Sequence, residues 1–127
     1  MFTISHLDHL VLTVKYIPVT LEFYARVLGM HAIQFGDKRI ALTFGQQKIN
    51  LHEMGKEFEP KAGKPTPGSA DLCLITEENL EQAMQYVRSC QVEIIEGPVK
   101  RTGASDDLLS FYIRDPDFNL IEISNQI

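Results

Sequence analysis

The chain repeats its own order of elements, and that repetition restricts the fold more than any single motif does. Leu7-Asp-His-Leu-Val-Leu-Thr-Val14 reads as a strand with His9, Val11 and Thr13 on one face. A helix is expected next. Pro18 suits a first turn, Leu21, Tyr24, Ala25 and Leu28 recur at helical spacing, and Gly29 can close the helix in the left-handed conformation. Three short strands follow at 31–35, 39–44 and 48–53, with Gly36-Asp37 and Gly45-Gln46 as turns. From Ala70 the order begins again. Residues 70–76 read as a strand, and Leu80, Ala83, Met84 and Val87 mark a second helix. Val92–Ile95 is expected as a strand, 97–107 as a polar loop, and a hairpin ends the unit. Each half reads βαβββ, the pattern of an internal duplication.

Between the halves, residues 56–69 turn to Lys, Pro, Gly and Glu with Phe58 as the one large apolar residue, which predicts a surface loop. The expected architecture is therefore α+β: one domain over 1–127, with a first module at about 5–54, a linker at about 55–69 and a second module at about 70–127.

The C-terminal hairpin holds the oddest residue. Asp115-Pro-Asp-Phe-Asn119 supplies the turn, since Pro116 fixes φ and Asp117 and Asn119 can bond their own backbone or accept positive φ. Alternation puts Ser110 and Tyr112 on one face of the first strand, and Leu120, Glu122 and Ser124 on one face of the second. Glu122 is a carboxylate between Ile121 and Ile123. If buried it needs a cation, a metal or a hydrogen-bond donor; if the strand is half exposed it can simply face water. Aligning the halves sets His9 against Asp71 and Asn50 against Glu122, with His52 on the face of Asn50. One imidazole and two carboxylates suit a divalent ion, whereas Asn50 is better as a hydrogen-bonding neighbour. Taken singly, His9 reads as a packed or half-exposed histidine and Asp71 as a strand-start residue.

Composition removes other classes. The net charge is −5 with no basic cluster beyond Lys100-Arg101, which argues against nucleic acid. No run nears the roughly 20 apolar residues of a membrane span, and the N-terminus shows no secretory pattern. Cys73 and Cys90 form neither a metal-type pair nor a disulfide framework, so a reducing cytoplasm is expected.

Leu7-Asp-His-Leu-Val-Leu12, Phe23-Tyr-Ala-Arg-Val-Leu-Gly-Met30, Lys48-Ile-Asn-Leu-His52, Gly97-Pro-Val99 and Asp115-Pro-Asp-Phe-Asn-Leu-Ile-Glu122 together resemble the vicinal oxygen chelate superfamily. That superfamily includes glyoxalase I, fosfomycin-resistance enzymes, bleomycin-resistance proteins and extradiol dioxygenases. Within it the chain is similar to the glyoxalase domain-containing protein 5 group, including virulence-associated enterobacterial members. The resemblance spans nearly the whole chain and implies two βαβββ modules whose sheets curl around a cavity, in a protein that is often a homodimer. It places metal ligands at His9, Asp71 and Glu122, holding nickel, manganese, zinc, cobalt or iron, with Glu122 also the catalytic base. Ser110 and Tyr112 match a substrate-contacting Ser-Phe-Tyr run, and Asn50, His52 and Arg101 complete the expected substrate contacts. Asp71 stands where fosfomycin-type enzymes have histidine, Asn50 where glyoxalase I has glutamate, and Phe118 where the turn usually has glycine. The resemblance implies a glyoxalase-like metalloenzyme, of lyase or isomerase type, for a small oxygenated substrate. The alternative is a metal-free protein that sequesters a small molecule, as bleomycin-resistance relatives do. An extradiol dioxygenase usually needs a longer chain.

Overall fold

The computed structural model describes residues 1–127, and the chain folds in two units, Met1–Pro67 and Gly68–Ile127. The first unit holds β1 (His9–Val14), α1 (Ile17–Leu28), β2 (His31–Phe35), β3 (Arg39–Phe44) and β4 (Gln47–Glu53). The second holds β5 (Asp71–Ile75), α2 (Leu80–Ser89), β6 (Glu96–Thr102), β7 (Asp107–Arg114) and β8 (Leu120–Gln126). Each unit has one four-stranded sheet, ordered β1-β4-β3-β2 and β5-β8-β7-β6. In both, the first strand runs parallel to the last and the remaining pairs are antiparallel. The α+β class and the twice-repeated βαβββ order are thus as expected. Residues 56–67 carry no helix or strand and belong to the first unit.

The register makes the repeat quantitative. Val11 pairs with Asn50 in the first sheet as Cys73 pairs with Glu122 in the second, so Asn50 and Glu122 occupy equivalent places. His9 and Asp71 each open their unit's first strand.

The last strand also fastens each helix. Tyr16 provides no side-chain cap for α1, and the Ile17 N–H donates instead to Glu53 Oε2 at 3.0 Å. In α2 the Leu80 N–H donates to Asn125 Oδ1 at 3.0 Å, while Asn125 Nδ2 donates to the carbonyls of Thr76 and Glu78. Asn79 accepts from Gln82 N–H as a conventional cap. Glu53 lies three residues beyond Asn50, and Asn125 three beyond Glu122, so one device serves both units.

Three expectations are corrected. The buried stripe of α1 is Thr20, Phe23, Tyr24 and Val27, whereas Leu21 and Leu28 are only half-buried and Ala25 is exposed. Apolar residues occupy most of this helix, so two overlapping stripes fit the sequence. Packing selects the one with both rings, and Phe23 and Tyr24 meet edge to face at 5.4 Å. Val92–Ile95 is not a strand, and the segment expected as a polar loop contains β6. Gly97-Pro98 and the charges of Lys100-Arg101 disguise it. An edge strand paired only with β7 tolerates a missing N–H and a register shift, which falls between Glu96 and Val99. Gly97 has φ 125°, and a Cβ there would stand 2.6 Å from Phe111 Cβ. In the hairpin turn, Asp115 also bonds the backbone of the turn. Its Oδ1 accepts from the N–H groups of Asp117 and Asn119, and its Oδ2 from Asn119 Nδ2. Phe118 takes the positive φ of 69°.

Candidate functional site

In the second unit Glu122 lies between Cys73 of β5 and Tyr112 of β7, one on each side. Asp71 is two pairs earlier and so on the same face, beside Leu120. Ser110 and Ser124 face each other across β7 and β8, fully buried, with hydroxyls 2.6 Å apart. Ser110 Oγ donates to Glu122 Oε2 at 2.7 Å. A hydroxyl has a single proton, so with Ser110 donating to Glu122 the short contact makes Ser124 the donor to Ser110. Ser124 Oγ also lies 3.3 Å from Glu122 Oε2 and can donate there instead; in either case Cys73 Sγ, 3.3 Å from Ser124 Oγ, donates to Ser124. Burial pushes the Cys73 thiol up; the bond to Ser124 works against this and the Glu122 charge adds to it. The thiol therefore stays protonated, as the relay toward Glu122 requires. A cavity of about 320 Å³ opens beside these groups, lined by Cys73, Ile75, Leu108, Glu122, Gln126 and the turn at 102–106.

Arg101 lies on β6, not in a loop. Its Nε donates to Tyr112 Oη at 2.9 Å and its terminal nitrogen to Glu96 Oε2 at 2.9 Å. Both bonds raise its pKa further. Glu96 supplies an anion for Arg101 within this unit, and the guanidinium fixes the phenol of Tyr112.

In the first unit His9, Asn50 and His52 share a sheet face by register: His9 beside Lys48, Val11 beside Asn50, Thr13 beside His52. His9 Nδ1 is 2.7 Å from Asp8 Oδ2, and the bond lowers the Asp8 pKa. With Nδ1 as the donor, Nε2 is left as the basic nitrogen, the arrangement in which histidines bind metals. Asn50 is 6% exposed, and its Oδ1 is buried without a hydrogen-bond donor. His52 is 4% exposed. Burial first and Arg39 second lower its pKa. A guanidinium can only donate, so His52 Nε2, 3.4 Å from Arg39, accepts, and the ring proton sits on Nδ1.

The structure thus gathers Asp71, Arg101, Ser110, Tyr112 and Glu122 on one sheet, and His9, Asn50 and His52 on the other. It brings no three His, Cys, Asp or Glu side chains close enough together to hold a metal ion. As donors, an imidazole nitrogen and two carboxylates suit manganese, iron, cobalt, nickel or zinc. Two local features fit that chemistry: Asp8 orienting His9, and serine hydroxyls orienting Glu122. Asp8 and Arg39 went unnoticed in the sequence. Asp8 adjoins a candidate ligand and could have been found; Arg39 becomes relevant only through its placement beside His52.

A family model described as Glyoxalase/Bleomycin resistance protein/Dioxygenase superfamily matches residues 6–123. The chain is 54% identical to the virulence protein STM3117 of Salmonella typhimurium over 124 residues, 98% of this chain and 86% of that protein. The crystal structure of STM3117 superposes with a TM-score of 0.97, covering 99% and 100% of the two chains. The glyoxalase domain-containing protein RDO1 of Mycosarcoma maydis is 52% identical, over 97% of this chain and 69% of its own. An integron cassette protein from V. cholerae is 62% identical with a TM-score of 0.96, covering 98% of each chain. With its repeated modules, and a family match over nearly its whole length, the chain belongs to the glyoxalase/bleomycin resistance protein/dioxygenase superfamily.

Proposed function

We propose that the chain is a glyoxalase-like enzyme, of lyase or isomerase type, that acts on a small oxygenated substrate with a divalent metal ion held by His9, Asp71 and Glu122. The observation that carries this reading is the hydroxyl support of Glu122. Two buried serines lie within hydrogen-bond reach of one carboxylate oxygen, the other oxygen has no hydroxyl donor, and Glu122 lines a cavity. A bound divalent ion would supply a Lewis acid for a substrate oxygen. Glu122 moves the proton at its other carboxylate oxygen, and the Ser110–Ser124–Cys73 relay restores its hydrogen bonding as charge changes. Tyr112, pinned by Arg101, offers its phenol to the substrate at the same face. Asn50 and His52 bind and orient substrate from the first unit.

The test is the metal content of the purified, tag-free protein with Glu122→Gln alongside. One divalent ion per chain, lost in the variant, is the expected result. No metal after incubation with nickel, manganese, zinc or iron would overturn the reading. The cavity at Glu122 would then favour a second one, a metal-free protein that sequesters a small molecule. The free thiols of Cys73 and Cys90 accord with a reducing cytoplasm, and the family supports a homodimer, which sedimentation would check.

A further inference from the structure

The first unit carries two cations that share one aromatic ring and have no carboxylate within ion-pair distance. Arg39 Cζ is 5.6 Å and Lys48 Nζ 3.8 Å from the Phe35 ring centroid, and Arg39 also lies 4.9 Å from that of Phe58. The acidic residues nearby are engaged elsewhere. Glu53 pairs with Lys56, Glu59 with Lys61, Asp8 with His9, and Glu57 accepts from the Gly55 N–H. A ring face attracts each cation weakly and does nothing to reduce the repulsion between the two.

On the same face lies the acceptor without a donor. Lys48, Asn50 and His52 alternate along β4, and Ala41 of β3 stands beside Asn50, two residues from Arg39. Asn50 Oδ1 is buried and unpaired, a costly condition that a ligand O–H or N–H would relieve. Ala41 is the smallest side chain that could flank it. The relay around Glu122 contains none of these residues.

We infer that Arg39, Lys48 and Asn50 form a subsite for a small oxyanion, of carboxylate or phosphate type, that carries a hydroxyl or N–H next to its charge. The cations take the negative oxygens and Asn50 Oδ1 takes the donor. His52 holds the guanidinium of Arg39 through Nε2, and the Phe58 ring packs against it. This names the substrate class of the proposed enzyme and rests on that reading only in calling the anion a substrate.

The experiment is an amide NMR titration of EDTA-treated protein with inorganic phosphate, glycolate, acetate and ethylene glycol. Phosphate and glycolate should shift resonances at 39–41 and 48–52, glycolate binding about tenfold more tightly than acetate. Ethylene glycol should shift none. The Arg39→Gln/Lys48→Gln double variant should weaken both anions at least about tenfold, while Arg39→Lys, with the charge kept, should still bind phosphate. Asn50→Leu should erase the preference for glycolate over acetate and leave acetate binding unchanged. Native amide dispersion in each variant confirms that it folds. Equal binding of glycolate and acetate by the wild type overturns the proposal. So do shifts confined to other strands, or a double variant that binds as the wild type does. Metal is absent throughout, so a protein that fails to bind metal still reports on the anion.

Discussion

Asp115 organises the C-terminal turn with a single buried carboxylate. It accepts two backbone N–H groups and the Asn119 amide, whose own Oδ1 accepts from the Ala70 N–H and so ties the turn to the strand bearing Asp71. Asp115→Ala leaves those donors buried and unpaired, and a loss of about 2–4 kcal/mol is expected in urea unfolding. Asp115→Asn, which keeps one acceptor oxygen, should lose less. His52 makes a prediction in pH. Its ring is held below 6.5 by burial and by Arg39, with Glu57 and Glu59 pulling the other way. The unfolded chain therefore binds the proton more readily than the folded one. The contribution to stability is complete above the unfolded value and is lost as pH falls below it toward the folded value. Unfolding measured from about pH 7 down to 5 should show that decline, and His52→Gln should flatten it. An unchanged slope in the variant would assign the acid sensitivity to other groups.

At the scale of elements, the helices depend on the strands that end each unit. Asn125→Ala should cost about 1–2 kcal/mol, because it removes the partner of the Leu80 N–H and frees two carbonyls before α2. Hydrogen exchange should show the loss first in the opening turn of α2; uniform acceleration across the unit would contradict a local clamp. Gly97→Ala should be worse than an ordinary edge-strand substitution, since the added methyl meets Phe111 at a φ of 125°. The same glycine explains why β6 was hard to read. Gly-Pro followed by two basic residues looks like punctuation, and only pairing with β7 makes it a strand. The other strands were legible because β-branched and large apolar residues alternate with turn residues at clear intervals. The helix faces were half legible: α2 has polar residues to set its stripe off, and α1 does not.

For the molecule as a whole, a charge of −5 and the absence of a basic stripe predict passage through heparin or DNA columns without retention at neutral pH. The repeat was legible in the sequence, and the register bears it out: Asn50 and Glu122 fall at equivalent places although their side chains differ. The Glu122 face was legible too, because Ser110 and Tyr112 follow from simple alternation. The Arg39 and Lys48 pair was not, since its meaning lies in a ring two strands from Lys48 and in the carboxylates that pair elsewhere. One difference between the modules has a further consequence. The residue that fastens α1 is an acid, whereas the one that fastens α2 is an amide. The bond to Ile17 N–H and then Lys56 hold the Glu53 pKa down, so its contribution stays whole above the ordinary carboxylate value of 4.5 and fades as pH drops through the lowered one. Asn125 has no such dependence. Acid strong enough to protonate Glu53 should therefore release the clamp on the first helix while the amide clamp on the second persists.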